Sequence, residues 1–244
     1  MASIQPRLPA TKSITGLAAS YHENVIAEQR VIVPELLDNA GPADATEVLK
    51  DLARVNRYFG GYRILRKIIG PLASRREPFT LLDVGAASGD TGAMLRGRYP
   101  HATVVSFDRQ GFHLAAAPQP KIVGDAFQLP FRAASFDFVF CSLFLHHFTD
   151  EQVVALLGDF KRLARRAVLA IDLERGPLAF RFLPATQWLF GWHKMFVSDG
   201  LLSVQAAFKK RELLALARRA GLERARVSTH RPWGRLSLVA SVQP

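Results

Sequence analysis

Cysteine occurs once in this chain, at Cys141 inside an apolar run, so neither a disulfide framework nor a cysteine metal cluster is available. No other metal-ligand spacing is found, and no metal is expected. A lone thiol fits a reducing cytoplasm. Long apolar runs are missing too: no stretch reaches the ~18 uninterrupted apolar residues of a membrane span. Residues 177–197 come closest, and Arg181, His193 and Lys194 interrupt them. The first 19 residues lack the basic-then-apolar pattern of a secretory signal. Acids are scarce beside bases, 21 against 32, which gives a formal net charge of +11. Such a charge is compatible with nucleic acid, an anionic membrane or anionic substrates. The basic residues are scattered, as at Arg75-Arg76, Arg165-Arg166 and Lys209-Lys210-Arg211, with no stripe interleaved with aromatics. A solvated Arg-rich surface is the expectation, and nucleic acid is disfavoured as a partner.

What remains is a chain of 244 residues with 49% hydrophobic residues, enough for one large domain or a core domain with an appended segment. Residues 1 to about 20 show weak periodicity and are expected to be poorly ordered or draped over the surface. From Thr46, Val48, Leu52, Val55 and Phe59 recur at helical spacing. Gly60-Gly61 breaks or kinks that helix, and Ile64, Leu65, Ile68 and Ile69 repeat the period until Gly70-Pro71. Residues 1–78 therefore read as a helical extension, either a lid or a packing layer.

After Pro78 short apolar runs alternate with helical stretches: 79–84, 103–107, 121–123, 136–141 and 167–173. That alternation implies right-handed crossovers and a parallel sheet in an α/β fold. Thr149 with Gln152 fits a capping box, and Val153, Leu156, Leu157, Phe160 and Leu163 form one apolar face behind it. A helix over 211–220 closes at Gly221, and 224–229 with 236–242 read as an antiparallel strand pair.

The first strand runs into Asp83-Val84-Gly85-Ala86-Ala87-Ser88-Gly89-Asp90, an acid followed by a small-residue turn and a helix start. Ligands bind at the carboxyl ends of such strands. A dinucleotide fingerprint needs glycines at three offsets, and from Gly85 those offsets hold Gly85, Ala87 and Asp90. A carboxylate at the third would repel the pyrophosphate that a helix N-terminus should cradle. S-adenosylmethionine carries no phosphate, and its ammonium suits Asp83 and Asp90. Asp108 ends the second strand, where an acid can bond ribose hydroxyls, and Asp125 follows the third, where one can accept from the adenine amino group.

Together these stretches, with Leu129-Pro130-Phe131 and Ser135-Phe136-Asp137-Phe138-Val139, resemble the ordered motifs of class I S-adenosylmethionine-dependent methyltransferases of the small-molecule type. The resemblance covers about residues 79–244. It implies a Rossmann-like seven-stranded sheet, mostly parallel with a C-terminal antiparallel strand and helices on both faces. It implies cofactor contacts at Asp83, Gly85, Ala87, Gly89, Asp90, Asp108, Arg109, Asp125, Ala126 and Ser142, and S-adenosylhomocysteine as product. The family's middle glycine is Ala87 here, which adds one methyl near the ligand.

The acceptor side falls to the end of the fourth strand, Cys141-Ser142-Leu143-Phe144-Leu145-His146-His147-Phe148. His146 and His147 are the candidate catalytic or acceptor-orienting residues, since neutral imidazole is a competent base near pH ~7. Adjacent side chains are expected to diverge, so at most one should face the methyl donor. An aromatic insert at about 175–208 is the expected substrate wall, with walls suited to a small, partly aromatic or polyketide-like metabolite of secondary metabolism. The expected reaction is methyl transfer to it, oxygen first, carbon or nitrogen as alternatives. The competing readings are an RNA or protein methyltransferase and a non-catalytic S-adenosylmethionine-binding protein. Peripheral membrane contact through the insert and a homodimer both stay open.

Overall fold

The computed structural model describes residues 29–242, so the expectation for residues 1 to about 20 lies outside it. Seven strands form one sheet: β1 (Phe79–Val84), β2 (Ala102–Asp108), β3 (Lys121–Val123), β4 (Phe136–Ser142), β5 (Ala164–Leu173), β6 (Arg226–His230) and β7 (Arg235–Ser241). Their order is β3-β2-β1-β4-β5-β7-β6. Only β7 runs against the others, paired antiparallel to β5 and to β6. The chain leaves β1 for β2 on one side and returns to β4 on the other, so the order switches at the carboxyl end of β1.

The helices are α1 (Pro42–Tyr58), α2 (Gly61–Ile69), α3 (Asp90–Arg98), α4 (Asp150–Leu163), α5 (Pro177–Phe190), α6 (Lys194–Ala206) and α7 (Lys210–Arg219). Thr149 and Gln152 make the reciprocal capping box at the start of α4. The five apolar residues of its face are all buried in a core that includes Leu82, Val139 and Leu238. The opposite face of the sheet is covered by α2, where Ile64, Leu65 and Ile69 pack on Leu81, Phe138 and Leu169.

α1 starts at Pro42, four residues before Thr46, because proline is tolerated in a first helical turn. It ends at Tyr58, and Gly60 at φ +92° turns the chain into α2. The two N-terminal helices therefore serve differently. α2 is a packing layer of the sheet. α1 packs through Val48, Leu52 and Val55 on Trp192, Phe196 and Val197, above the carboxyl ends of the strands.

Candidate functional site

The turn after β1 is held open by backbone geometry. Gly85, Ala87 and Gly89 all take positive φ, at 70°, 48° and 69°. A Cβ on Gly85 would lie 2.4 Å from the Phe144 ring, so only glycine fits there. Ala87 carries a side chain in the left-handed region, which costs energy. Its N–H donates to Asp108 Oδ2 at 2.9 Å, and this bond fixes the turn. Asp108 Oδ1 accepts from the Gln110 N–H, also at 2.9 Å. Each carboxylate oxygen thus keeps a second lone pair for a hydroxyl donor.

These groups line a cavity of about 800 Å³ over the carboxyl ends of the strands. Gly85, Ala87, Asp108, Arg109, Asp125, Ala126 and Ser142 are on its wall, together with His146 and His147. Asp83, Gly89 and Asp90 stand behind the turn, off that wall. Asp83 is 2% exposed and its Oδ2 has no hydrogen-bond partner. Burial, with Asp90 and Asp108 nearby, holds its carboxyl well above the usual range. Asp90 accepts from the Tyr62 hydroxyl at 2.8 Å and from Asn56 at 3.3 Å, which ties α3 to the N-terminal helices.

The two histidines do not diverge. They lie in a 3-10 turn, Leu145–His147, whose successive side chains point about 120° apart rather than the near-opposite directions of a strand. Their rings stack at 4.3 Å with 27° between planes. His146 is 2% exposed. Its Nδ1 lies 2.6 Å from Asp172 Oδ1, at the end of β5, and its Nε2 lies 3.6 Å from Glu35 Oε1. Burial opposes charge on this ring, but Asp172 and Glu35 prevail and push His146 up to about 10. It is an imidazolium at neutral pH, not the neutral base the sequence suggested. Burial works against ionising Asp172 as well, and the facing imidazolium still holds it below the usual carboxylate range.

Glu35 has no precursor in the motif reading. It sits in the strap of residues 29–41 that crosses the cavity ahead of α1. The strap is pinned by Arg30, which donates to Asp150 at 2.6 Å and to the carbonyls of His146, Phe148 and Ala206. Asp199 accepts from the Leu36 and Leu37 N–H groups at 2.8 and 3.0 Å. The Ser203 hydroxyl donates to Glu35, and His147 Nδ1 lies 3.9 Å from the same carboxylate. Glu35, His146 and His147 bring one ligand atom each within 4.8 Å of one another. A metal binds imidazole nitrogen in the ring plane, and near-parallel stacked rings do not converge on one point. The cluster is held by the His146–Asp172 and Ser203–Glu35 hydrogen bonds and by the charge of Glu35 facing both rings.

The remaining wall is apolar: Leu49, Leu52, Val55 and Phe59 from α1, Phe182 and Leu183 from α5, and Trp233 from the β6–β7 turn. Arg235, 1% exposed, also reaches this wall. It donates to Asn56 at 3.2 Å, and burial brings it down to about 10. Cys141 is buried in the core and burial pushes its thiol up, so it is no nucleophile.

A family model described as a methyltransferase domain matches residues 82–171. A demethylmenaquinone methyltransferase of Thermotoga maritima is 29% identical over 117 residues, 46% of this chain and 50% of that protein. The chain spans about half the length of this curated relative. Among solved structures, the plantazolicin methyltransferase BamL, in complex with a triazolic desmethylPZN analog and SAH, gives a TM-score of 0.63 at 11% identity. That match covers 95% of this chain and 100% of the other. Human N-acetylserotonin methyltransferase, in complex with SAM, gives 0.61 at 18% identity, over 92% of this chain and 66% of the other. At these identities the likeness is one of fold.

Proposed function

We propose that this chain, a class I S-adenosylmethionine-dependent methyltransferase in its domain and fold, methylates an oxygen of a small, largely apolar acceptor. The observation that carries the reading is a single cavity with two chemically different ends. One end is the wall of strand-end carboxylates and the positive-φ turn. The other is the Glu35–His146–His147 cluster with the apolar side chains of α1 and α5.

The donor set suits S-adenosylmethionine. Asp108 has oxygens preset by two backbone N–H groups, with lone pairs left to accept from a diol, and Asp125 after β3 and Ser142 at the end of β4 stand on the same cavity wall. When bound, the cofactor supplies a methyl group on a sulfonium, open to in-line displacement. Everything else is positioning, water exclusion and removal of one proton. His147 is the proton acceptor in this reading. Glu35, beside its Nδ1, would stabilise the imidazolium that forms, as a carboxylate does for a catalytic histidine. His146 is a positioning residue. Fixed as a cation between Asp172 and Glu35, it holds Glu35 ionised against the cost of burial.

The test is a tritiated-methyl transfer assay over phenols, quinols and bulk tRNA, with S-adenosylhomocysteine and NAD binding measured by calorimetry. Transfer to a phenol or quinol, with S-adenosylhomocysteine bound and NAD not, is the expected result. Transfer to tRNA alone would instead support the RNA reading that the net charge of +11 keeps open. Binding without transfer to any acceptor would favour a non-catalytic role.

A further inference from the structure

Helix α5 presents an apolar face to both sides. Its inner side chains Phe182 and Leu183 form part of the cavity wall. Its outer stripe consists of Leu178, Arg181, Pro184, Ala185, Trp188 and Leu189, all exposed and spaced on one helical face. Trp188 is 83% exposed, Leu189 60% and Leu178 59%. Exposed apolar area gathered on one face marks an interaction surface.

The charge pattern says what kind. From residue 176 to 198 the chain holds no Asp or Glu, while it holds Arg181 and Lys194, both exposed. Arg181 stands within the stripe and Lys194 is exposed just beyond it, each with a stem long enough to keep its charge at headgroup level while the apolar residues sink. The cavity also reaches this face. Leu178 belongs both to the stripe and to the cavity lining, as do exposed Ile32 and Val33 of the strap to that lining.

We propose that the outer face of α5 is the surface by which this protein seats itself on an anionic bilayer, so that the cavity receives an acceptor carried in the membrane. The proposal deepens the methyl-transfer reading by placing its acceptor in a lipid phase. A helix that exposes Trp and Leu on one face, with cations among and beside them, binds in the interface plane, and its affinity depends on both terms.

The experiment is vesicle flotation with the full chain, on phosphatidylcholine vesicles and on vesicles of phosphatidylcholine with an equal part of phosphatidylglycerol. Neither cofactor nor acceptor is present, so its failure is separate from failure of the methyl-transfer reading. Wild type is expected to float with the anionic vesicles and far less with the neutral ones. A Trp188→Ser/Leu189→Ser protein, altered at exposed positions off the cavity wall, is expected to bind roughly tenfold more weakly or worse. Arg181→Gln/Lys194→Gln should lose the preference for anionic vesicles. The proposal is overturned if wild type floats with neither, or if the double Ser variant floats as well as wild type. A dimer in solution that Trp188→Ser/Leu189→Ser dissociates, without vesicle binding, overturns it too and assigns the face to a second copy. A second readout uses one phenol with a long alkyl chain in anionic vesicles and one short soluble phenol. The double Ser variant should lose transfer to the first and keep it to the second; equal loss of both contradicts the proposal.

Discussion

His146 carries a charge at 2% exposure because two carboxylates face its ring. The consequence for stability has a definite sign. Its folded pKa of about 10 lies above the unfolded value near ~6.5. Its contribution is therefore full below pH ~6.5 and is lost as pH rises through about 10. Asp172 is held below its unfolded value, so its share is present above about pH 4 and lost as pH falls. An Asp172→Asn protein leaves the imidazole buried without its partner, and such breaks cost about 3–5 kcal/mol. Urea unfolding at pH ~6 and ~9 should show that loss, with the alkaline decline of wild type flattened. A variant as stable as wild type at both pH values would remove the pair from this account. For catalysis, His147→Ala should lower kcat by about 10²–10⁴-fold while S-adenosylhomocysteine affinity stays near wild type. A fall in affinity alone would make His147 a cofactor contact instead. The sequence named both histidines but not their roles. Their stacking depends on a 3-10 turn, and the charge depends on Asp172 and Glu35, 26 and 111 residues away.

Elements differ in how much of their making is local. β1 and β3 span the residues expected of them, 79–84 and 121–123, since short runs of apolar residues between turn signals need little else. β5 begins at Ala164, three residues before 167, because α4 ends directly into the strand and pairing with Phe136 draws the start back. The α4 cap is local chemistry in full: Thr149→Ala should cost about 1 kcal/mol by denaturant unfolding, with no change in transfer activity. The strap is the opposite case. Residues 29–41 have no apolar period and are held by distant partners, Arg30 on Asp150 and backbone carbonyls, and Asp199 on Leu36 and Leu37. Arg30→Ala should free it, which would be read as faster limited proteolysis in residues 29–41 and a lower kcat. Unchanged cleavage would show that Asp199 alone suffices.

At the scale of the whole molecule, one cavity joins a turn after β1, carboxylates at the ends of β2 and β3, a histidine cluster after β4 that is backed by Asp172 of β5, and a wall from α1 and α5. Ligand in such a cavity stabilises the fold by mass action, about 2.7 kcal/mol at a hundredfold excess over Kd. S-adenosylhomocysteine should raise the melting temperature of wild type by several degrees and of Asp108→Ala far less. An equal rise in both would take Asp108 off the cofactor. The amino-acid sequence by itself determined the parallel α/β sheet with its antiparallel last strand, and the order of acids at successive strand ends. Those features are written in local periodicity and in short motifs whose spacing is read along the chain. Tertiary structure alone decided that Asp83 and Asp90 stand behind the turn, that His146 is an imidazolium, that Glu35 joins the site, and that α5 is apolar on its outer face. Burial and the electrostatics of groups far apart in sequence are set by which surfaces meet, and periodicity does not encode that.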